Sequence, residues 1–174
     1  FIDAVASDLG ALSGRQAGAH LADVTVEAAN IAGAIIASDG RFTEAELDGY
    51  LDAVGPLLDP PLVTSATALR DAGVLERATD WLAQPSVLFD LLARADARDG
   101  GTRAQRYYEL ALRLAHVTAA LDLVPSPAEL DAIDRLRTSM LHHLDAVGVT
   151  RPGQPAPIKP ATQGPAAAPA PSPT

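Results

Sequence analysis

This chain predicts an all-α fold on three observations: apolar residues recur at helical spacing, no segment sustains a two-residue alternation, and helix-ending signals separate the stripes. Leu47, Tyr50, Leu51, Val54, Leu57 and Leu58 make one stripe, and Tyr107, Ala111, Leu114, Thr118 and Leu121 a second. Leu130, Ile133, Leu136, Met140, Leu144 and Val147 make a third. The breaks fall at Asp39-Gly40, Gly55-Pro56, Asp59-Pro60-Pro61, Gly73, Gln84-Pro85, Asp99-Gly100-Gly101 and Pro125-Ser126-Pro127. About seven helices are expected, near 2–12, 20–38, 44–58, 61–82 with a break near Gly73, 86–98, 102–122 and 127–147. Short connections between them make a bundle.

The composition supports one such bundle. Of 174 residues, 48% are hydrophobic and the mean hydropathy is +0.11, enough for a single core. The most apolar stretch, Val24 to Ala37, is interrupted by Glu27 and Asn30 and falls short of the ~20 residues a spanning helix needs. It reads as a buried helix, and membrane insertion is not expected. The chain begins at Phe1 without a basic segment and apolar run of the signal-peptide kind, and a cytoplasmic location is expected.

At Arg151 the composition changes. Residues 151–174 hold eight of the 14 prolines, six alanines and no aromatic residue, so they are expected to form a disordered, Pro/Ala-rich linker or tail beside a helical domain at 1–150. A linker implies something to link to, and a further domain is expected beyond Thr174.

Charge and residue types exclude several function classes. Thirteen basic residues against 22 acidic ones leave a formal charge of −9, which argues against nucleic acid and anionic membrane surfaces as partners. Residues 1–60 alone carry ten acids and two arginines. A basic protein partner or an adjoining domain is the expected counterpart. With no cysteine there is no disulfide, thiolate metal site or cysteine nucleophile, leaving carboxylates and four histidines as ligands. No phosphate-binding GxxxxGK[ST] loop, HExxH or GxSxG is present, and the chain is not expected to be an enzyme.

Sliding the chain by 83 positions exposes an internal repeat. Residues 31–48 align with residues 114–131, and Asp39/Asp122, Glu46/Glu129, Leu47/Leu130 and Asp48/Asp131 are among seven identities in 18 positions. Each half keeps an Asp-x6-Glu spacing across a helix end, a turn and a helix start. Thr43 and Ser126, three residues before each glutamate, complete the capping-box pattern. Two helical hairpins packing with pseudo-symmetry are therefore expected. The acids read in two ways. As helix punctuation, Asp39-Gly40 ends one helix, and Thr43 with Glu46 caps the next. As a site, Asp39 and Glu46, joined by Asp122 and Glu129 if the turns lie side by side, form an oxygen-rich pocket for a divalent cation, with Ca, Mg, Mn and Zn not distinguished. An EF-hand is not expected, because its first and third ligand positions would be Ile35 and Ala37.

The segments IAGAIIASDGRFTEAELDGYL and LAHVTAALDLVPSPAELDAIDRL resemble the TerB-like family, known from tellurite resistance and as a helical accessory domain in larger proteins. The resemblance covers roughly residues 20–147. It implies an all-α fold, a link to stress response, and paired acidic turns that bind a divalent metal in some members, carried here onto Asp39, Glu46, Asp122 and Glu129. The second turn departs from the pattern, with Leu123 in place of the glycine. Actinobacterial domains of this kind followed by Pro/Ala linkers resemble the N-terminal parts of AAA+ ATPases.

The remaining constellations read as structural. His142 and His143 point about 100° apart on one helix, so one is expected to face solvent. His116 is expected to be partly buried and hydrogen-bonded, while His20 carries no signal. Arg94, Arg98, Arg103, Arg106 and Arg113, interleaved with Tyr107 and Tyr108, straddle Gly100 and are expected to form a solvated helical face, given Asp96, Asp99 and Glu109 among them.

Overall fold

The computed structural model describes residues 1–41, 43–58, 61, 64–73, 75–122, 124–150 and 152, without the side chains of residues 76, 77, 79 and 122. Most of the expected tail therefore lies outside the described residues. Among those described there are seven α-helices and no strand: α1 (Ile2–Ser13), α2 (Leu21–Ile36), α3 (Glu44–Val54), α4 (Ala66–Asp71), α5 (Val87–Asp99), α6 (Arg103–Ala119) and α7 (Pro127–Val147). Short 3-10 segments continue several of them, at Ala17–His20, Ala37–Asp39, Gly55–Leu57, Leu75–Leu82 and Ala120–Asp122. The fold is all-α.

The repeat holds to the residue. Under the 83-residue shift the last residue of α2, Ile36, falls on the last of α6, Ala119, and the 3-10 turn Ala37–Asp39 falls on Ala120–Asp122. The first residue of α3, Glu44, falls on the first of α7, Pro127. Packing is reciprocal as well: the first turn lies against α7, the second against α3, and α2 packs on α6 across the centre. Two helical hairpins are thus related by pseudo-symmetry.

Between the two copies the chain inserts α4 and the segment Leu75–Leu82, and here the structure departs from the expected helix at 61–82. The helix starts only at Ala66, where Ser65 Oγ accepts from the Ala68 backbone nitrogen at 3.2 Å. Gly73, at φ 59°, ends that helical run. Leu75–Leu82 is 3-10 rather than α. Three residues per turn place Leu75, Ala78 and Trp81 in line, and this row packs along α2. Leu75 comes so close that a Cβ on Gly33 would stand 3.0 Å from its Cδ2.

The main core joins α1, α2, α5, α6 and α7 through Leu9, Val24, Ile35, Phe89, Tyr107 and Met140. A second cluster, Ile36, Leu47, Tyr50, Leu69 and Leu75, lies under the insertion. Burying each such aliphatic or aromatic side chain contributes about 2 kcal/mol. With the 3-10 turns at its ends, α2 makes a continuous Ala17–Asp39 helical run, long and apolar enough by composition to cross a membrane. Yet 67% of its most apolar window is buried inside the fold. Being packed on several sides accounts for its apolarity.

Candidate functional site

The two acidic turns are built by the same local chemistry. After Asp39, Gly40 takes φ 69°, a left-handed conformation that closes the helix without a Cβ penalty. Thr43 is extended and caps α3: its Oγ1 accepts from the Glu46 nitrogen at 3.2 Å, while Glu46 Oε2 accepts from Thr43 N at 2.7 Å and from Thr43 Oγ1 at 2.6 Å. In the second copy Ser126 Oγ accepts from the Glu129 nitrogen at 3.2 Å, and Glu129 Oε2 accepts from Ser126 N at 2.7 Å. Pro127 sits at the first helical position, where its missing N–H costs nothing.

These bonds decide how the four predicted acids stand. Glu46 and Glu129 are buried, at 6% and 5% exposure, and each holds a helix start together. Asp39 is exposed, its Oδ1 accepting from the Arg41 nitrogen at 2.7 Å in an Asx turn. The side chain of Asp122 lies outside the described residues, as does Leu123. Each turn packs on the other copy's second helix, the first on α7 and the second on α3. Among the described residues, no three histidine or carboxylate side chains are grouped so as to hold a metal ion.

The histidines divide. His142 is exposed and His143 is half-buried, as helical geometry requires of neighbours. His143 stacks near Phe89, ring centroids 5.8 Å apart, and its Nε2 lies 2.9 Å from Asp90 Oδ1 but out of hydrogen-bond alignment. His116 contradicts the expectation of partial burial, for it is exposed. Its counterpart Gly33 is covered by the Leu75–Leu82 insertion, and the second copy has no such cover in the described fold.

The arginines around Gly100 are largely paired. Arg94 Nε lies 2.8 Å from both oxygens of Asp90, and this partner pulls the Asp90 carboxyl below the usual carboxylate range. Arg106 Nη1 reaches Asp8 at 3.1 Å. Arg103 bridges Asp96 and Asp99, the latter likewise held low by this guanidinium.

Three features escape the sequence pattern. Asp96, 3% exposed, caps the following helix from across the turn: its Oδ2 accepts from Ala104 N at 2.7 Å and its Oδ1 from Arg103 Nε at 2.9 Å. Thr102, in the ordinary cap position, makes no such bond. A Cβ on Gly101 would stand 2.5 Å from Asp96 Oδ1, so the turn requires glycine.

Glu27, 4% exposed in the middle of α2, accepts a short hydrogen bond from Tyr107 Oη. The hydroxyl of Ser86, which caps α5, lies 3.3 Å from the same Tyr107 oxygen. Burial pushes the Glu27 carboxyl up, against the lowering effect of the Ser86 and Tyr107 hydrogen bonds. Burial beside that carboxyl raises Tyr107 as well. The network ties α2, α5 and α6 together.

The third feature is a trough of about 420 Å³ at the seam between the copies. Its floor is α2, through Thr25, Ala28, Ala29, Ala32 and Ile36 at i, i+3, i+4, i+7 and i+11. One wall is α3 with Gly49, Ala53 and Val54, the other α6 with Leu114, Val117 and Thr118. Phe1 and Ile2 close one end, and among the described lining residues Asp3 has the one charged side chain. Leu57, Val117 and Leu121 stay 55%, 65% and 50% exposed along its rim, well above what core positions show. Stripes that read as core in the sequence are thus partly open to solvent.

Comparisons with protein-family models, with curated proteins and with solved structures find no match.

Proposed function

We propose that this chain is a non-catalytic docking domain of TerB-like kind, an accessory module that presents the seam trough to a protein partner or adjoining domain, in a larger protein such as an AAA+ ATPase. The observation that carries this reading is the trough: three amphipathic helices turn apolar stripes toward a common, half-open space, and large aliphatic side chains remain exposed along it. Its lining offers two threonine hydroxyls, the Tyr50 hydroxyl and Asp3 among apolar groups, a surface suited to packing rather than to bond-breaking. The Tyr50 hydroxyl is itself engaged, donating to the Ala29 carbonyl at 3.3 Å. A photo-crosslinking amino acid placed at Val117 tests the reading in the cell, with Val87 on the outer face of α5 as control. A discrete adduct from position 117 and none from 87 supports docking. Equal adducts, or none from 117, contradict it.

A second reading keeps a divalent cation at Asp39, Glu46, Asp122 and Glu129. The exact repeat of the acidic turn in both copies favours it, because a four-carboxylate site needs the same acids from each turn. Against it stands the engagement of both glutamates in capping boxes. Thermal unfolding with Ca, Mg, Mn or Zn decides, since an ion binding only the folded state raises the midpoint. A shift in wild type that disappears in Asp39→Asn supports the cation, and no shift with any ion removes it.

A further inference from the structure

We propose that the occupant of the seam trough is an amphipathic α-helix of another polypeptide, with large aliphatic side chains on one face and lysine or arginine along its edges. This rests on the docking reading and adds the identity of what docks. Shape points to a helix. The floor stripe of α2 runs from Thr25 to Ile36, about 16 Å of helix at 1.5 Å per residue, so the trough is elongated rather than round. Small residues line it where a partner's backbone would come closest: Ala28, Ala32, Gly49 and Ala53. Bulky side chains stand at the rim. A helix inserting aliphatic residues at i, i+3/i+4 and i+7 fills such a space as the missing member of the bundle.

Charge points to basic edges. The three helices that form the floor, one wall and one end, α1, α2 and α3, carry no lysine or arginine, and with Glu27 and Glu46 buried and Asp8 paired to Arg106 they leave Asp3, Asp23, Glu44, Asp48 and Asp52 exposed. Asp3 lines the trough, and Asp48 and Asp52 are exposed on the wall helix beside Gly49 and Ala53. On the remaining side, α6 carries Arg113 one turn before Val117. An occupant with basic edges matches three of the four sides, and an acidic one is repelled by them. The same asymmetry disfavours a second copy of this chain. Residues 153–174, with seven prolines, are poor helix formers and are not the expected occupant.

The test uses two synthetic peptides of about 18 residues, long enough to hold helical structure on binding, with one leucine face and either lysine or glutamate at the polar positions. Their binding to the full chain is read by fluorescence anisotropy. The exposed positions Ala53→Phe and Val117→Glu block the trough without touching the core, and Val87→Glu is the control; thermal melts confirm that each variant folds. The lysine peptide is expected to bind at least about tenfold more tightly than the glutamate one, and to lose at least about tenfold in both trough variants but not in the control. Equal binding of both peptides at the trough overturns the basic-edge proposal and leaves the docking reading standing. Binding that Val117→Glu and Ala53→Phe do not weaken shows general attraction to an acidic surface and overturns the proposal. Failure of both peptides overturns it too, and the crosslink at position 117 then decides the docking reading separately. A dimer by light scattering that Val117→Glu disperses makes the occupant a second copy, which also overturns the proposal.

Discussion

Glu46 and Glu129 stand 83 positions apart in the chain and in matching environments in space, each with Oε2 2.7 Å from the backbone nitrogen of the residue three before it, Thr43 or Ser126. Each carboxylate and its hydroxyl partner satisfy N–H groups that a helix start leaves open. Thr43→Ala and Ser126→Ala are each expected to cost about 1 kcal/mol of stability, measured by urea unfolding. A loss under about 0.3 kcal/mol in both would mean the boxes contribute little in solution.

Asp39 behaves differently from its neighbours because it is exposed and holds one backbone N–H. Asparagine keeps an oxygen for that bond. Asp39→Asn, in the absence of divalent ions, is expected to change stability by less than about 0.5 kcal/mol, checked by the same unfolding curve. A larger loss would give the carboxylate charge a structural part that its exposed Asx turn does not predict.

The carboxyl of Glu27 is raised by burial, so the folded state holds its proton more tightly than the unfolded chain does. The stabilisation from the neutral acid is therefore complete below the ordinary carboxyl value of 4.5 and is lost as pH rises through the folded value. Glu27→Gln keeps the shape and an acceptor for Tyr107 but cannot ionise. Its melting temperature relative to wild type is expected to climb as pH is raised from about 4.5, the ordinary carboxyl range. A difference independent of pH would show that Glu27 does not titrate against folding.

Asp96 joins a buried cap to a buried ion pair. Asp96→Ala leaves the Ala104 N–H without its acceptor and Arg103 with Asp99 alone, and is expected to cost about 3 kcal/mol. Gly101→Ala, whose Cβ would press on Asp96 Oδ1, is expected to destabilise in the same direction. Thr102→Ala, at a cap position whose side chain makes no cap bond, is expected to be nearly silent. Chemical denaturation of the three variants checks the order.

What the sequence made legible is local. The repeat could be read to the residue because caps are written within four positions: Thr43 with Glu46, Ser126 with Glu129, Gly40 after Asp39. Relations across the fold were not legible. Asp96 acts eight positions away, across a turn, and looks like one more acid among arginines. Glu27 meets Tyr107 80 positions on and reads only as an interruption in an apolar run. His116, on a mostly apolar helix, reads as partly buried and hydrogen-bonded, but the cover that buries Gly33 comes from the Leu75–Leu82 insertion, which packs on α2 and not on the same position of α6. The trough escaped for a related reason: a stripe at helical spacing shows that a helix face is apolar, not whether another element covers it, and Leu57, Val117 and Leu121 are left uncovered.

Docking at that uncovered seam underlies the whole functional reading, and methyl NMR of the full chain during titration with the lysine-edged peptide tests it without any variant. Docking predicts shifts concentrated at the methyls of Val54, Leu114, Val117 and Leu121, saturating together, with Val87 and Leu91 on α5 unmoved. Shifts spread over the acidic surface, or none at the seam methyls at saturating peptide, would contradict it.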